Sequence, residues 1–147
     1  MILVASSASV FISVTEWAYF AGNHDEMNLK TMVGLVLLIT GIVIRVWSIR
    51  ILGRNFTATV KVTEKHSLIT SGPYQYIRHP SYLGALIAIT GCPLFLNNTF
   101  SVVIAACLML TAYYFRIKFE EKALLHHFGE AYSEYKRHTF GLLPLIW

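Results

Sequence analysis

The residues best equipped for chemistry lie in the run 72–84, which reads Gly-Pro-Tyr-Gln-Tyr-Ile-Arg-His-Pro-Ser-Tyr-Leu-Gly. Arg78 and His79 can carry positive charge and donate hydrogen bonds, and the tyrosine hydroxyls can both donate and accept. Pro73 and Pro80 fix φ and remove amide donors, so the run cannot form one continuous helix. The resulting irregular backbone leaves peptide groups available to contact a ligand.

A second candidate pair follows the last apolar stretch of the chain. Arg116 and Glu120 are four residues apart and therefore share one face of a helix, which Gly129 should end. Arg116 comes directly after apolar residues, where its charge could be held toward a site at the lipid boundary. The structural alternative is an exposed ion pair, worth ~0.3–0.5 kcal/mol, on an amphipathic helix that lies on the membrane.

Composition indicates the setting of these residues. Of the 147 residues, 55% are hydrophobic and 14% are charged, which is too apolar for a typical soluble domain. We predict a single all-α integral membrane domain with about four transmembrane helices, near residues 2–21, 31–49, 82–96 and 100–115. The first stretch has no basic leading region, so we expect a retained helix rather than a signal peptide.

The third and fourth stretches should form a helical hairpin, because only the polar turn Asn97–Thr99 separates them. Small residues on both stretches would allow the helices to approach closely, as in any tight membrane bundle. These small residues are Gly84, Ala85 and Gly91 on the third stretch, and Ala105 and Ala106 on the fourth.

The distribution of basic residues predicts the orientation. Lysines and arginines concentrate in residues 50–81 and 116–147, whereas the loop after the first stretch has Asp25, Glu26 and only Lys30. The positive-inside rule therefore places both termini and these two basic segments in the cytoplasm. The net charge of +4 fits contact with anionic lipid headgroups, and no nucleic-acid partner is predicted.

No metal site is predicted from the cysteine and histidine residues. Cys92 and Cys107 lie inside apolar stretches, where a thiol behaves as a small hydrophobic group. His126 and His127 are adjacent, so they cannot share one helix face as paired ligands would.

Taken together, these motifs resemble those of the isoprenylcysteine carboxyl methyltransferase family. The family pattern is Gly-x-Tyr-x-x-x-Arg-His-Pro-x-Tyr-x-Gly, followed after a helical hairpin by Arg-x-x-x-Glu-Glu and then Phe-Gly-x-x-Tyr-x-x-Tyr. The matching residues are Gly72, Tyr74, Arg78, His79, Pro80, Tyr82, Gly84, Arg116, Glu120, Glu121, Phe128, Gly129, Tyr132 and Tyr135.

The resemblance implies an S-adenosyl-L-methionine-dependent methyltransferase whose cytoplasmic cofactor pocket is formed by a loop and the C-terminal amphipathic helix. It implies a lipidic substrate that enters from the bilayer and carries the C-terminal carboxylate of an isoprenylated cysteine or a similar group. Arg116 is the implied catalytic residue. The implied cofactor contacts are Lys61, His66, Ser67, Leu68, Ile69, Tyr74, His79, Pro80, Ser81, Tyr82 and Glu120.

These residue types suit that reaction. A C-terminal carboxylate, with a reference pKa of about 3.5, is already ionised at neutral pH, so methyl transfer to it needs no general base. The planar guanidinium of Arg116 can bind both carboxylate oxygens, and Glu120 can accept from ribose hydroxyls or an ammonium group. His79 either bonds the cofactor or braces the turn, and Arg78 is expected to contact a headgroup or to be structural.

Three other functions remain open from the sequence. A phospholipid N-methyltransferase shares related motifs but must attack with an unprotonated amine, so a base would matter more. A membrane sterol reductase would use NADPH and need more basic residues near its 2′-phosphate, and a non-catalytic membrane adaptor would need no clustered site. The expected location is the cell membrane in a prokaryote or the endoplasmic reticulum in a eukaryote, and the sequence predicts no oligomeric state.

Overall fold

The computed structural model of the protein describes residues 28–53 and 67–142, together with helical positions 7, 8, 10–12, 14, 15 and 18. Much of the first predicted membrane stretch, 2–21, is outside this part of the chain. Lys61 and His66, two of the predicted cofactor contacts, also lie outside the described residues.

The described chain is mostly helical, as the sequence predicts. The helices are α1 (Leu29–Leu52), α2 (Pro80–Phe95), α3 (Thr99–Phe128) and α4 (Glu130–Arg137), with a short 3₁₀ helix, Gly72–Gln75, before α2. Among the described residues, α1 and α3 are long and apolar enough to cross a membrane, and α2 is a shorter apolar helix.

Proline and glycine set the helix boundaries near the site. Pro80 is the first residue of α2, a position where its missing amide hydrogen costs nothing. Gly129 ends α3 with φ at 55°, a left-handed conformation that glycine adopts readily. In the predicted polar turn, the Asn98 side chain accepts from the Ser101 amide at 3.0 Å, which satisfies a donor in the first turn of α3.

Helix α3 differs from the sequence interpretation. From the sequence, the apolar stretch 100–115 is predicted to be a membrane helix and the segment from Arg116 a C-terminal amphipathic helix. They form one helix of 30 residues without a boundary at Arg116. The reason is local, because residues 113–119 contain neither glycine nor proline and nothing there interrupts the hydrogen-bond ladder.

The described residues form two compact units. One unit contains the chain up to Val43 together with Gly84–Tyr113. Inside it, α1 and α2 pack backbone to backbone, because a Cβ added at Gly41 would collide with the backbone of Ala88 and one added at Gly91 would lie 2.6 Å from the Leu38 nitrogen. The other unit combines Ile44–Leu83 with the chain from Tyr114 onward, and it contains every described residue of the predicted site.

Candidate active site

The backbone around the Arg-His-Pro run, residues 78–80, pairs with the C-terminal segment of the chain. The Phe140 amide donates to the Tyr76 carbonyl at 2.9 Å, and the Arg78 amide donates to the Phe140 carbonyl at 2.8 Å. The His79 amide donates to the Gly141 carbonyl at 3.2 Å. This short parallel pairing fixes the chain direction directly before α2 begins.

The Arg78 side chain is buried and has a structural role. Its exposed fraction is 7%, which excludes the headgroup contact and leaves the structural role. Nε donates to Glu121 Oε1 at 2.8 Å, and Nη1 donates to the carbonyls of Lys136, at 3.2 Å, and of Thr139. Lys136 Nζ donates to the other Glu121 oxygen at 2.6 Å. Glu121 therefore joins α3 to the Arg-His-Pro run and to the end of α4.

His79 lies close to both Glu121 and Tyr82. Its side chain is 4% exposed, and Nε2 is 3.5 Å from Glu121 Oε1, which is too long for a good hydrogen bond. In the described part of the chain Nε2 has no hydrogen-bond partner. The imidazole stacks on the Tyr82 ring with centroids 5.6 Å apart and planes 14° from parallel.

Tyr82, Glu120 and Arg116 form a hydrogen-bonded cluster. The Tyr82 hydroxyl donates to Glu120 Oε2 at 2.6 Å and accepts from Arg116 Nε at 3.2 Å. Arg116 and Glu120 are both half-buried. A residue of α2 thus bridges two residues of α3, and the pair is more than the simple exposed ion pair of the structural alternative.

Tyr74 lies close to this cluster. Burial, and after it the negative charge of Glu120, raise the pKa of the Tyr74 phenol, whereas a hydrogen bond with the Ser81 side chain opposes that rise. The phenol therefore stays protonated at physiological pH and donates to the Ser48 carbonyl at 3.4 Å. Arg45 Nη1 donates to the Ser81 carbonyl at 3.1 Å, so α1 supports the start of α2.

The remaining predicted contacts among the described residues are Pro80 and three residues earlier in the chain, Ser67, Leu68 and Ile69. Pro80 is fully buried, Ser67 is exposed, and Ile69 is half-buried. Leu68 lines a groove of about 440 Å³ whose other lining residues are Thr70, Gln75, Ala131, Glu134, Tyr135, His138 and Thr139. The hydroxyl of Tyr135 donates to the Tyr74 carbonyl at 2.7 Å and so connects the wall of this groove to the site.

Nothing in the sequence assigns a role to Glu121 or predicts the pairing of the C-terminal segment. Glu120 and Glu121 are adjacent in the motif, but neighbouring residues on an α-helix point about 100° apart, so the two carboxylates address different partners. Glu120 accepts a hydrogen bond from Tyr82, whereas Glu121 accepts from Arg78 and Lys136. Helical spacing separates these two roles, but it does not reveal which partners each carboxylate meets.

The residues present fit a cofactor that is both polar and cationic. Glu120 is half-buried and accepts from Tyr82, while a carboxylate offers about four acceptor positions in all. Nearby, the buried Nε2 of His79 lacks a good hydrogen-bond partner among the described residues. Tyrosine rings and a buried proline provide apolar surface around these polar groups. A sulfonium nucleoside with ribose hydroxyls and an amino acid moiety needs such a mixed set.

Comparison with known proteins matches the chain to one family. Residues 32–126 match the profile of the isoprenylcysteine carboxyl methyltransferase family. The chain is 33% identical to protein-S-isoprenylcysteine O-methyltransferase B of Arabidopsis thaliana, over 97% of this chain and 73% of that protein. It is 38% identical to a probable protein-S-isoprenylcysteine O-methyltransferase of Oryza sativa subsp. indica, over 98% of this chain and 76% of that protein.

A solved structure shows the same likeness in three dimensions. The structure of a eukaryotic intramembrane Ras methyltransferase, an isoprenylcysteine carboxyl methyltransferase, superposes with a TM-score of 0.77 at 28% sequence identity. The match covers 99% of this chain and 51% of that one, so this chain spans about half the length of the solved protein. On the family profile, the curated relatives and the fold, the chain belongs to the isoprenylcysteine carboxyl methyltransferase family.

Proposed function

We propose that this membrane protein methylates the C-terminal carboxylate of an isoprenylated cysteine, with S-adenosyl-L-methionine as the methyl donor. The observation that carries the proposal is the cluster in which the Tyr82 hydroxyl joins Arg116 to Glu120. It sets a cation suited to a carboxylate beside an acceptor suited to the cofactor. The names of the family relatives support the same reaction.

In this proposal the cofactor is held by residues on both sides of the start of α2. Bound there, it supplies a methyl group activated by attachment to a sulfonium. Glu120 accepts hydrogen bonds from it, and the stacked rings of His79 and Tyr82 contribute an aromatic surface. The further proposed contacts are Tyr74, Pro80 and Ser81 in the described site, and Lys61, His66, Ser67, Leu68 and Ile69 from the preceding loop.

Arg116 is proposed to orient the substrate carboxylate. The Tyr82 hydroxyl accepts from Arg116 Nε, and this contact restrains the guanidinium. A guanidinium fixed in this way can present parallel N–H donors to both carboxylate oxygens. Because the carboxylate is already ionised, the enzyme contributes position, and positioning can lower such a barrier by about 7–11 kcal/mol.

A membrane location suits the proposed substrate. An isoprenyl chain gains ~0.8 kcal/mol per CH₂-sized unit in the bilayer, so extracting it would cost a soluble enzyme on the order of 10 kcal/mol. An acceptor that reaches the site from within the bilayer avoids that cost. We propose that the site faces the cytoplasm, where the positive-inside rule places the basic segments around it.

Two measurements on purified protein in detergent test this proposal. Calorimetry should detect binding of S-adenosylhomocysteine, and a methylation assay should show transfer to a farnesylcysteine or geranylgeranylcysteine analogue. Phosphatidylethanolamine serves as the control acceptor and should remain unmethylated. Methylation of phosphatidylethanolamine instead of the prenylcysteine would refute the carboxylate assignment, and folded protein without cofactor binding would refute the methyltransferase itself.

A further inference from the structure

Glu120 and Glu121, the two adjacent carboxylates on α3, contact different residues of the run 72–84. Glu120 accepts from the Tyr82 hydroxyl at 2.6 Å, whereas Glu121 lies 3.5 Å from His79 Nε2 and accepts from Arg78 Nε at 2.8 Å. His79 and Tyr82 stack, so the two carboxylates lie beside a pair of rings that contact each other.

The surroundings of Glu121 suit a fixed support more than a ligand contact. Its side chain is 15% exposed and both oxygens are engaged, Oε1 by Arg78 and Oε2 by Lys136. Hydrogen bonds to a charged group are stronger than neutral ones and constrain geometry more tightly. The carboxylate therefore has a defined position, from which it faces the ring nitrogen of His79.

We propose that Glu121 is a positioning residue that acts through His79 on cofactor binding. It keeps Nε2 directed toward α3 and fixes the rotation of the imidazole, while Arg78 and Lys136 hold the carboxylate in place. The ring face that stacks on Tyr82 is thereby set relative to the cluster of Tyr82, Glu120 and Arg116. This inference rests on the proposed function only in taking the cofactor as the ligand affected.

The test compares Glu121→Gln with Glu130→Gln. Glutamine keeps the size of the side chain but removes its charge, so in Glu121→Gln the hold on Arg78 and His79 weakens. Glu130→Gln makes the same chemical change at an exposed residue in the first turn of α4, which has no proposed role in cofactor binding. It therefore controls for the loss of a negative charge in this part of the chain.

For Glu121→Gln we expect the dissociation constant for S-adenosylhomocysteine to rise roughly tenfold, as fits the loss of charged hydrogen bonds. In protein without cofactor, labelled with ¹⁵N-histidine, the imidazole ¹⁵N shifts of His79 should also change. His79→Gln identifies the His79 signals by their loss. Glu130→Gln should leave both the dissociation constant and the shifts close to those of the unsubstituted protein.

Each outcome decides the matter. An unchanged dissociation constant in folded Glu121→Gln, or equal weakening in Glu130→Gln, would overturn the positioning role. If Glu121→Gln does not fold, the imidazole shifts in Glu121→Asp provide the decision, because a shorter carboxylate must also displace the ring and unaltered shifts refute the proposal. If the unsubstituted protein binds no S-adenosylhomocysteine, the proposed function fails, while the ¹⁵N shifts still test the contact between Glu121 and His79.

Discussion

Arg116 and Glu120 are one helical turn apart, but the Tyr82 hydroxyl from α2 reaches both of them. Their shared face follows from spacing alone, because residues four apart on a helix are neighbours. The bridge does not follow, since it depends on how a second helix packs. For the same reason the sequence left Arg78 with two possible roles, and only its burial against Glu121 assigns it to structure.

At the residue scale, Arg116→Ala should separate binding of the cofactor from methyl transfer. Alanine removes the proposed carboxylate partner but leaves Glu120 and His79 in place, so calorimetry should show nearly unchanged affinity for S-adenosylhomocysteine. Methylation of a farnesylcysteine analogue should fall by a factor of about 100 or more, because a lost charged contact made with the reacting group costs several kcal/mol.

Arg137→Ala is the matched control for Arg116→Ala. Arg137 is also an arginine near the end of a helix, but it is exposed and pairs with Glu134 on the surface of α4. We expect the activity of this variant to match that of the unsubstituted protein. Normal turnover in Arg116→Ala would remove Arg116 from the proposed mechanism.

The helices themselves were more predictable than their contacts. The apolar runs and the proline and glycine boundaries located α1 and α2, and Gly129 correctly marked the end of α3. The continuity of α3 through Arg116 was missed, because a change from apolar to charged residues ends a membrane stretch without ending a helix. The close packing partners Gly34 and Gly41 were also missed, since glycine in a helix shows its purpose only when a second backbone lies against it.

At the element scale, Gly41→Val should destabilise the contact between α1 and α2. The new side chain would meet the backbone of Ala88, which cannot move aside as a flexible side chain could. We expect the free energy of unfolding to fall by about 1–3 kcal/mol, which is typical of overpacking. This should be seen as a lower thermal unfolding temperature in detergent. Intrinsic helix propensity favours valine over glycine, so it cannot account for a loss.

Val43→Leu provides the comparison for Gly41→Val on the same helix. Val43 is 59% exposed, so there is room for one additional methylene. The unfolding temperature of Val43→Leu should remain within about two degrees of the original, since exposed substitutions typically change stability by less than 0.5 kcal/mol. Equal stability of Gly41→Val and the unsubstituted protein would contradict the backbone-to-backbone packing.

At the scale of the whole molecule, membrane orientation determines which compartment supplies the cofactor. Basic residues dominate the segments around the site, whereas Asp25 and Glu26 precede α1 in the sequence and Lys30 lies in its first turn. Cytoplasmic membrane surfaces carry negative potential and retain such basic segments, so the site should open to the cytoplasm. Single cysteines can test this orientation once Cys92 and Cys107 are replaced by serine.

In that background, Lys122→Cys on α3 and Lys30→Cys at the start of α1 report on the two sides of the membrane. Both native side chains are exposed, so an impermeant maleimide can reach either position from the correct compartment. In sealed vesicles with the cytoplasmic face outward, we expect labelling of Lys122→Cys, and of Lys30→Cys only after the vesicles are opened. The reverse pattern would place the site on the opposite side, where a cytoplasmic cofactor could not reach it.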